Sequence, residues 1–215
     1  MPRKNLAVLG GRTLVRRALE TALAANVFSM VALSSEDDEI LAEAEGLDIV
    51  AIRRPAELAT DTTRALDVVR HALGELRPFD AVAVVQATSP FTAPEDLAGA
   101  VALLHETGAE SVVSVARLEA GVHPLKLKRL EPDGRLLPYL EDDALTPSHE
   151  LPPLWARNGS IYLSRIEVLE RGLLVSDRDV RGYEMPVERS FDIDTPRDLA
   201  FVRFLSAENS PGEPT

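Results

Sequence analysis

With 215 residues, 45% of them hydrophobic and 27% charged, the chain has the length and composition of one ordinary globular domain. Its 35 acidic residues against 23 basic ones leave a formal net charge of −12, which argues against a general nucleic-acid surface but leaves room for a local basic pocket that takes a small phosphate. Cysteine is absent, so disulfides and thiolate metal sites are excluded; with no long apolar run and no signal-peptide pattern, a soluble, cytoplasmic protein without a membrane partner is expected.

Residues 1–5 are polar and basic, residues 6–9 form a short apolar patch, and Gly10-Gly11 is a turn that lacks the glycine spacing of a dinucleotide fingerprint. Apolar side chains at helical spacing (Leu14, Ala18, Leu19, Ala22, Leu23) predict a helix over 13–25. A strand over 27–33 follows, then a helix over 37–45 with Ser35 as its N-cap and Gly46 as its stop. Residues 48–52 read as a strand ending in Arg53, Arg54 and Pro55, and residues 60–76 as a helix whose His71 has no metal-binding companion at helical spacing.

The organising stretch is 80–90, DAVAVVQATSP. Its continuous β-branched run over 81–85 predicts a strand buried on both faces, as in a parallel sheet. The chemistry then turns polar at Gln86, Thr88 and Ser89, on the carboxyl side of the strand, where open α/β sheets bind ligands. The same residues also suit a plain capping role in the following turn. A helix with Pro94 in its first turn runs to about 106, and a strand covers 111–115. This alternation of strand and helix is the pattern of a parallel α/β sheet.

After Ala116 the pattern changes. Residues 123–140 predict a β-hairpin around Pro132-Asp133-Gly134, and 142–153 a proline-rich loop, together a small excursion over about 120–154. Asn158-Gly159 reads as a turn before a strand at 160–163. A short helix at 166–171, an edge strand at 182–187 and a final helix from Thr195-Pro196 to about 205 complete a single domain over 1–206; the tail 207–215 is expected to be disordered.

Asp192 and Asp194 are the sharpest chemical signal. In an extended segment residues i and i+2 share a face, so the carboxylates converge and repel unless a cation or proton lies between them. Oxygen-only ligation of this kind suits Mg²⁺ completed by substrate phosphates and water. A plainer alternative leaves Asp194 capping the last helix and Asp192 solvated. Lys4, Arg53, Arg54 and Arg157 lie near predicted strand ends, and arginines that follow a buried strand suit the ligand edge. No Ser/His/Asp triad order, Walker loop or zinc-helix motif occurs.

Six short motifs then fall in order along nearly the whole chain: Pro2/Lys4/Asn5/Leu6; Leu33 to Glu36 with Glu39-Ile40; Arg54/Pro55/Leu58/Ala59/Asp61; Val85 to Pro90; Asn158 to Tyr162; and Ser190/Asp192/Ile193/Asp194/Thr195. Together they resemble the acylneuraminate cytidylyltransferases, the CMP-sialic acid synthetases. The resemblance implies a Rossmann-like, mainly parallel sheet with helices on both faces, of the nucleotide-diphospho-sugar transferase type. It implies transfer of CMP from CTP to a nonulosonic sugar acid with release of pyrophosphate. Asp192 and Asp194 would hold Mg²⁺, one of them helping to activate the attacking hydroxyl; Lys4 and Asn5 would meet the nucleotide, Arg54 its cytidine side, and Gln86, with Arg157 and Asn158, the sugar. The excursion would be a dimerisation segment of a homodimer.

The departures set further expectations. The family's opening strand and R-x-G-S-K-G loop do not precede Pro2, so the reading frame is expected to begin upstream of Met1; the rival is a shortened, non-catalytic paralogue acting as a binding or assembly module. Phe91-Thr92 and Ser148-His149 stand where the family carries arginine, which leaves sialic acid, a legionaminate, a pseudaminate and a 3-deoxy-octulosonate-type acid all open. A nucleotidyltransferase acting on a sugar phosphate is disfavoured by the motif from Ser190 to Thr195.

Overall fold

A computed structural model describes residues 1, 3–60, 62–76, 78–140 and 147–208. Pro2 and Asp61 of the quoted motifs, part of the excursion and residues 209–215 of the expected tail lie outside them.

A two-residue hairpin, β1 (Val8–Leu9) and β2 (Arg12–Thr13), turns at Gly10-Gly11, and Thr13 caps helix α1 (Leu14–Ala24) by accepting the Arg16 N–H at 3.1 Å. Strand β3 (Ala32–Ser35), helix α2 (Asp38–Ala42) and strand β4 (Val50–Arg53) follow. Next come helix α3 (Ala65–Gly74), strand β5 (Ala81–Val85), helix α4 (Pro94–Thr107) and strand β6 (Ser111–Arg117). The excursion carries hairpin β7 (Lys128–Leu130) and β8 (Leu136–Pro138), which turns at 132–134 as the Pro-Asp-Gly sequence predicts. Strand β9 (Trp155–Arg165), helix α5 (Ile166–Glu170), strand β10 (Val180–Glu184) and helix α6 (Pro196–Glu208) complete the chain.

The class is α/β, but the sheet is mixed rather than mainly parallel. Its order is β10-β6-β9-β5, with β10 parallel to β6 and β9 antiparallel to both neighbours, while β3 and β4 form a separate parallel pair. Helices cover both faces. Ala81, Ala83 and Val85 of β5 join a core with Ala22 of α1 and Leu97, Ala100 and Leu104 of α4. Val82 and Val84 point the other way, onto Leu66 and Val69 of α3 and Val168 and Leu169 of α5.

That alternation explains both the success and the error at β5. Packing on two faces produces the continuous apolar run, yet all five residues are only half-buried, because β5 pairs with β9 alone and ends the sheet. Side-chain periodicity reports faces, not lateral neighbours. The strand expected at 27–33 begins only at Ala32; Phe28 and Val31 instead pack side-on against the α1–α4 core. Helix α2 is capped by Asp37, whose Oδ1 accepts the Glu39 N–H at 2.8 Å, rather than by Ser35, which accepts the Asp37 N–H. Helix α3 starts at Ala65 rather than 60, the edge strand begins at Val180 rather than 182, and α6 runs past 205.

Asn158-Gly159 is not a turn before β9 but lies inside it. Val113 pairs with Tyr162 and Val115 with Arg157, so Ser114 alone faces residues 158–161, and β9 bulges there with Gly159 at φ +81°. No helix among the described residues is long and apolar enough to cross a membrane.

Gly99 fixes how closely α4 approaches β10: a Cβ there would lie 2.5 Å from Cε2 of Tyr183. Gly99→Ala should therefore lower the urea midpoint despite a helix-propensity gain of about 1 kcal/mol, overpacking costing roughly 1–3 kcal/mol. In a Tyr183→Ala background the same substitution should raise the midpoint; a rise in both backgrounds would refute the contact.

Candidate functional site

Between β10 and α6 a 3₁₀ turn, Val187–Arg189, leads into the acidic segment 190–195. Ile193 is fully buried in a cluster with Leu9, Leu14, Leu199 and Val202, and this anchors the segment's inner side. Its N–H donates to the Thr88 carbonyl at 2.9 Å, tying the segment to the loop after β5. Asp192 and Asp194 flank it on the exposed side. Lys4, in the turn Lys4–Leu6, places its Nζ 3.0 Å from Asp194 Oδ1 and 3.3 Å from the Ile193 carbonyl.

Asp194 does not cap the last helix. Thr195 and Asp198 do: Asp198 Oδ2 accepts the Thr195 N–H at 2.7 Å, the Thr195 hydroxyl at 2.8 Å and the Asp194 N–H at 3.1 Å, while Thr195 Oγ1 accepts the Asp198 N–H at 3.3 Å. The Thr195 N–H, the Thr195 hydroxyl and the Asp194 N–H together hold the Asp198 carboxyl below its ordinary range. The Asp194 carboxylate is thereby left to Lys4 and solvent.

The bulge in β9 forms the floor. A Cβ on Gly159 would lie 3.5 Å from Asp192 Oδ2, so the carboxylate rests directly over the glycine. Asn158 is saturated internally. Its Oδ1 takes the Ser114 hydroxyl at 2.6 Å and the Ser160 N–H at 3.3 Å, and its Nδ2 donates to Ser190 Oγ at 2.9 Å and Met185 Sδ at 3.2 Å. Asn158 thus joins the bulge to the acidic segment.

Gln86 sits at the carboxyl end of β5, its N–H donating to the Ser160 carbonyl at 3.1 Å. Arg157 is exposed on β9 and makes no ion pair among the described residues. Asn5 is half-buried beside Lys4, with no side-chain hydrogen bond among the described residues. Arg54, beyond the end of β4, pairs with Glu36 rather than with either aspartate, and its buried Nε has no partner among the described residues. Burial pushes the Glu36 carboxyl up, but the Arg54 hydrogen bond and charge outweigh it and leave it lowered.

Two contributors escaped the sequence. Arg17 of α1 reaches the loop after β5, with Nη2 3.4 Å from the Pro90 carbonyl and a buried Nε that lacks a partner among the described residues. It lines a cavity of about 10 Å³ with Gln86, Ser89 and Thr92. The other is a fully buried carboxylate, Asp96, gripped by both arms of Arg189 at 2.6 and 3.0 Å. Asp96 at the third position of α4 was the available signal, since it also accepts the Ala93 N–H at 2.9 Å.

As a metal site, the pair of aspartates is open. Among the described residues no group of three or more His, Asp or Glu side chains gathers to enclose an ion. Two exposed carboxylates two residues apart suit a hard cation that takes its remaining oxygens from water and substrate phosphates, as Mg²⁺ does, and do not fit a closed structural site.

The family model described as "Cytidylyltransferase" matches residues 1–205. The chain is 32% identical to N-acylneuraminate cytidylyltransferase A of Danio rerio, over 92% of this chain and 46% of that protein. It is 29% identical to CMP-N,N'-diacetyllegionaminic acid synthase of Legionella pneumophila, over 97% of this chain and 91% of that one. It is 26% identical to an N-acylneuraminate cytidylyltransferase of Streptococcus agalactiae, over 94% and 49% respectively. The chain thus spans about half the length of the fish and streptococcal relatives. A CMP:2-keto-3-deoxy-manno-octonic acid synthetase complexed with CTP shares the fold with a TM-score of 0.72 at 17% identity, covering 97% of this chain and 93% of that one.

The Asp198 cap has a definite pH signature. A carboxyl lowered by folding stabilises above its unfolded pKa, and the contribution is lost as pH falls through the lowered folded value. Asp198→Asn should therefore unfold more readily than wild type at pH 7, and the gap in urea midpoint should close on acidification; a gap that is constant down to pH 3 would refute the cap.

Proposed function

This chain belongs to the cytidylyltransferase family, and we propose that it transfers CMP from CTP to a nonulosonic, sialic-acid-like sugar acid with release of pyrophosphate. The observation that carries the proposal is the exposed pair Asp192 and Asp194 on either side of buried Ile193, with Lys4 seated on Asp194. The nonulosonic class is supported by the names of the relatives, of which the Legionella protein is matched over 91% of its length.

In this reaction the anomeric hydroxyl oxygen of the sugar acid bonds to the α-phosphorus, the bond to the bridging oxygen of the β-phosphate breaks, and pyrophosphate departs. Asp192 or Asp194 accepts the hydroxyl proton, and the two carboxylates would hold Mg²⁺, which would supply neutralisation of charge on the triphosphate. Lys4 and Asn5 meet the nucleotide's phosphate side and Arg54 its cytidine side. Gln86 and Arg157 face the sugar acid, while Asn158 keeps the bulge and the acidic segment in register. The compartment that fits a CTP-consuming reaction is the cytoplasm.

The test is pyrophosphate release from CTP and Mg²⁺ with a panel of sugar acids: neuraminate-, legionaminate-, pseudaminate- and octulosonate-type. Release is expected with a nonulosonic acid. Asp192→Asn and Asp194→Asn should each lower it about 100-fold or more. Absence of release with every nonulosonic acid, or full activity in both variants, would overturn the reading.

We further propose that the excursion forms a homodimer interface. Leu130 and Leu136 on the β7–β8 hairpin are 73% and 63% exposed, and Tyr139, Leu140 and Trp155 continue the apolar surface. Soluble monomers rarely expose apolar area this concentrated. Light scattering should give a dimer for wild type and a monomer for Leu130→Asp/Leu136→Asp; a monomeric wild type would refute this.

A further inference from the structure

The carboxylate of Asp96 is fully buried, and a buried charge is costly unless its partners are well placed. Here they are. Arg189 Nε donates to Oδ2 at 3.0 Å and Nη2 to Oδ1 at 2.6 Å, and the Ala93 N–H donates to Oδ2 at 2.9 Å. The fork joins residues 93 positions apart, the start of α4 and the last residue of the turn before the acidic segment. Tyr183 closes the group from β10, and burial followed by the Asp96 charge raises its pKa.

Such a pair adds little to net stability, because desolvation offsets most of the attraction; its best-attested use is to fix register. Downstream of Arg189, further ties hold the segment, two of them between neutral groups. Ser190 Oγ accepts from Asn158 Nδ2 while donating to the Pro186 carbonyl at 2.8 Å, and the Ile193 N–H donates to Thr88. Both are neutral bonds of ordinary strength; Lys4 adds a charged contact at Asp194 Oδ1 and the Ile193 carbonyl, and Asp198 accepts the Asp194 N–H at 3.1 Å, all of them at the downstream end of the segment. The one charged, two-armed anchor upstream is Arg189. In an extended segment a slip of one residue would put the carboxylates on the wrong face and Ile193 in water.

We infer that the Asp96–Arg189 fork positions the acidic segment, so that Asp192 and Asp194 are presented together on the open face of the site. Asp96 and Arg189 act here as positioning residues, through the segment that follows Arg189. The consequence for metal binding rests on the function proposed above; the positioning itself does not.

The test compares Asp96→Asn and Arg189→Lys, which keep size or charge but lose the ionic fork, with wild type and Asp192→Asn. Two readouts are taken on folded protein: amide hydrogen exchange at Ile193, and Mn²⁺ affinity by electron paramagnetic resonance. Loss of charged hydrogen bonds is expected to speed exchange at Ile193 about tenfold or more, with Val112 and Leu163 at wild-type rates. Mn²⁺ affinity should fall by a similar factor, and in the active protein kcat should drop while the KM for CTP stays within about threefold. Unchanged exchange at Ile193, or an equal rise at Val112 and Leu163, would overturn the inference and leave the fork a general stabiliser. If Asp192→Asn binds Mn²⁺ as well as wild type does, the carboxylate reading of the function fails, and exchange at Ile193 still decides the positioning.

Discussion

Ser114 sits where the ladder between β6 and β9 is interrupted, and its hydroxyl takes the place of the missing backbone partners. It donates to Asn158 Oδ1 at 2.6 Å and accepts the Ile161 N–H at 2.8 Å. Opposite this one residue β9 runs through four, 158–161, and the surplus chain swells toward the acidic segment. Each contact on the floor of the site follows: Asn158 reaches Ser190, Gly159 passes under Asp192, and the Ser160 carbonyl receives the Gln86 N–H. The buried polar groups in this knot are satisfied by one another, which is the condition for such a network to be rigid. Glycine is required at 159 by its φ of +81°, and a Cβ there would sit in ordinary contact with the carboxylate, 3.5 Å away.

Features set by short-range physics were legible in the sequence. Pro94 and Pro196 mark helix starts because proline suits the first turn, and Ile193 is buried between two exposed aspartates, the alternation of an extended segment. Both Asp194 and Thr195 can cap a helix by their chemistry, and only the position of Asp198 decides for Thr195. Asn158-Gly159 has the local chemistry of a turn, and what makes it a bulge is the pairing of its flanks with β6, more than 40 residues away in the chain. The Asp96–Arg189 fork was invisible for the same reason: neither residue has a sequence neighbour that reveals a burial decided by α4 packing on β10.

The charge distribution refines the bulk figure. A net charge of −12 describes the surface as a whole, yet basic side chains stand beside the predicted site residues: Lys4 on Asp194, and Arg17 beside Gln86 with a buried guanidinium nitrogen that lacks a protein partner among the described residues. Screening confines exposed charges to roughly 10 Å at 0.1 M salt, so these near charges, of both signs, matter more to a bound anion than the bulk figure does.

Trp155, the chain's sole tryptophan, opens β9 opposite Arg117 and is 47% exposed at the root of the excursion, well away from the helix-covered core. Intrinsic fluorescence therefore reports on the wrong place for anyone following folding. An indole half in water changes its emission when something covers the excursion, and Trp155 reports the α1–α4 core only through the β6–β9 ladder it ends. The chain thus carries a built-in optical label for whatever settles on that surface, whereas collapse of the sheet is better followed through its backbone signal in circular dichroism.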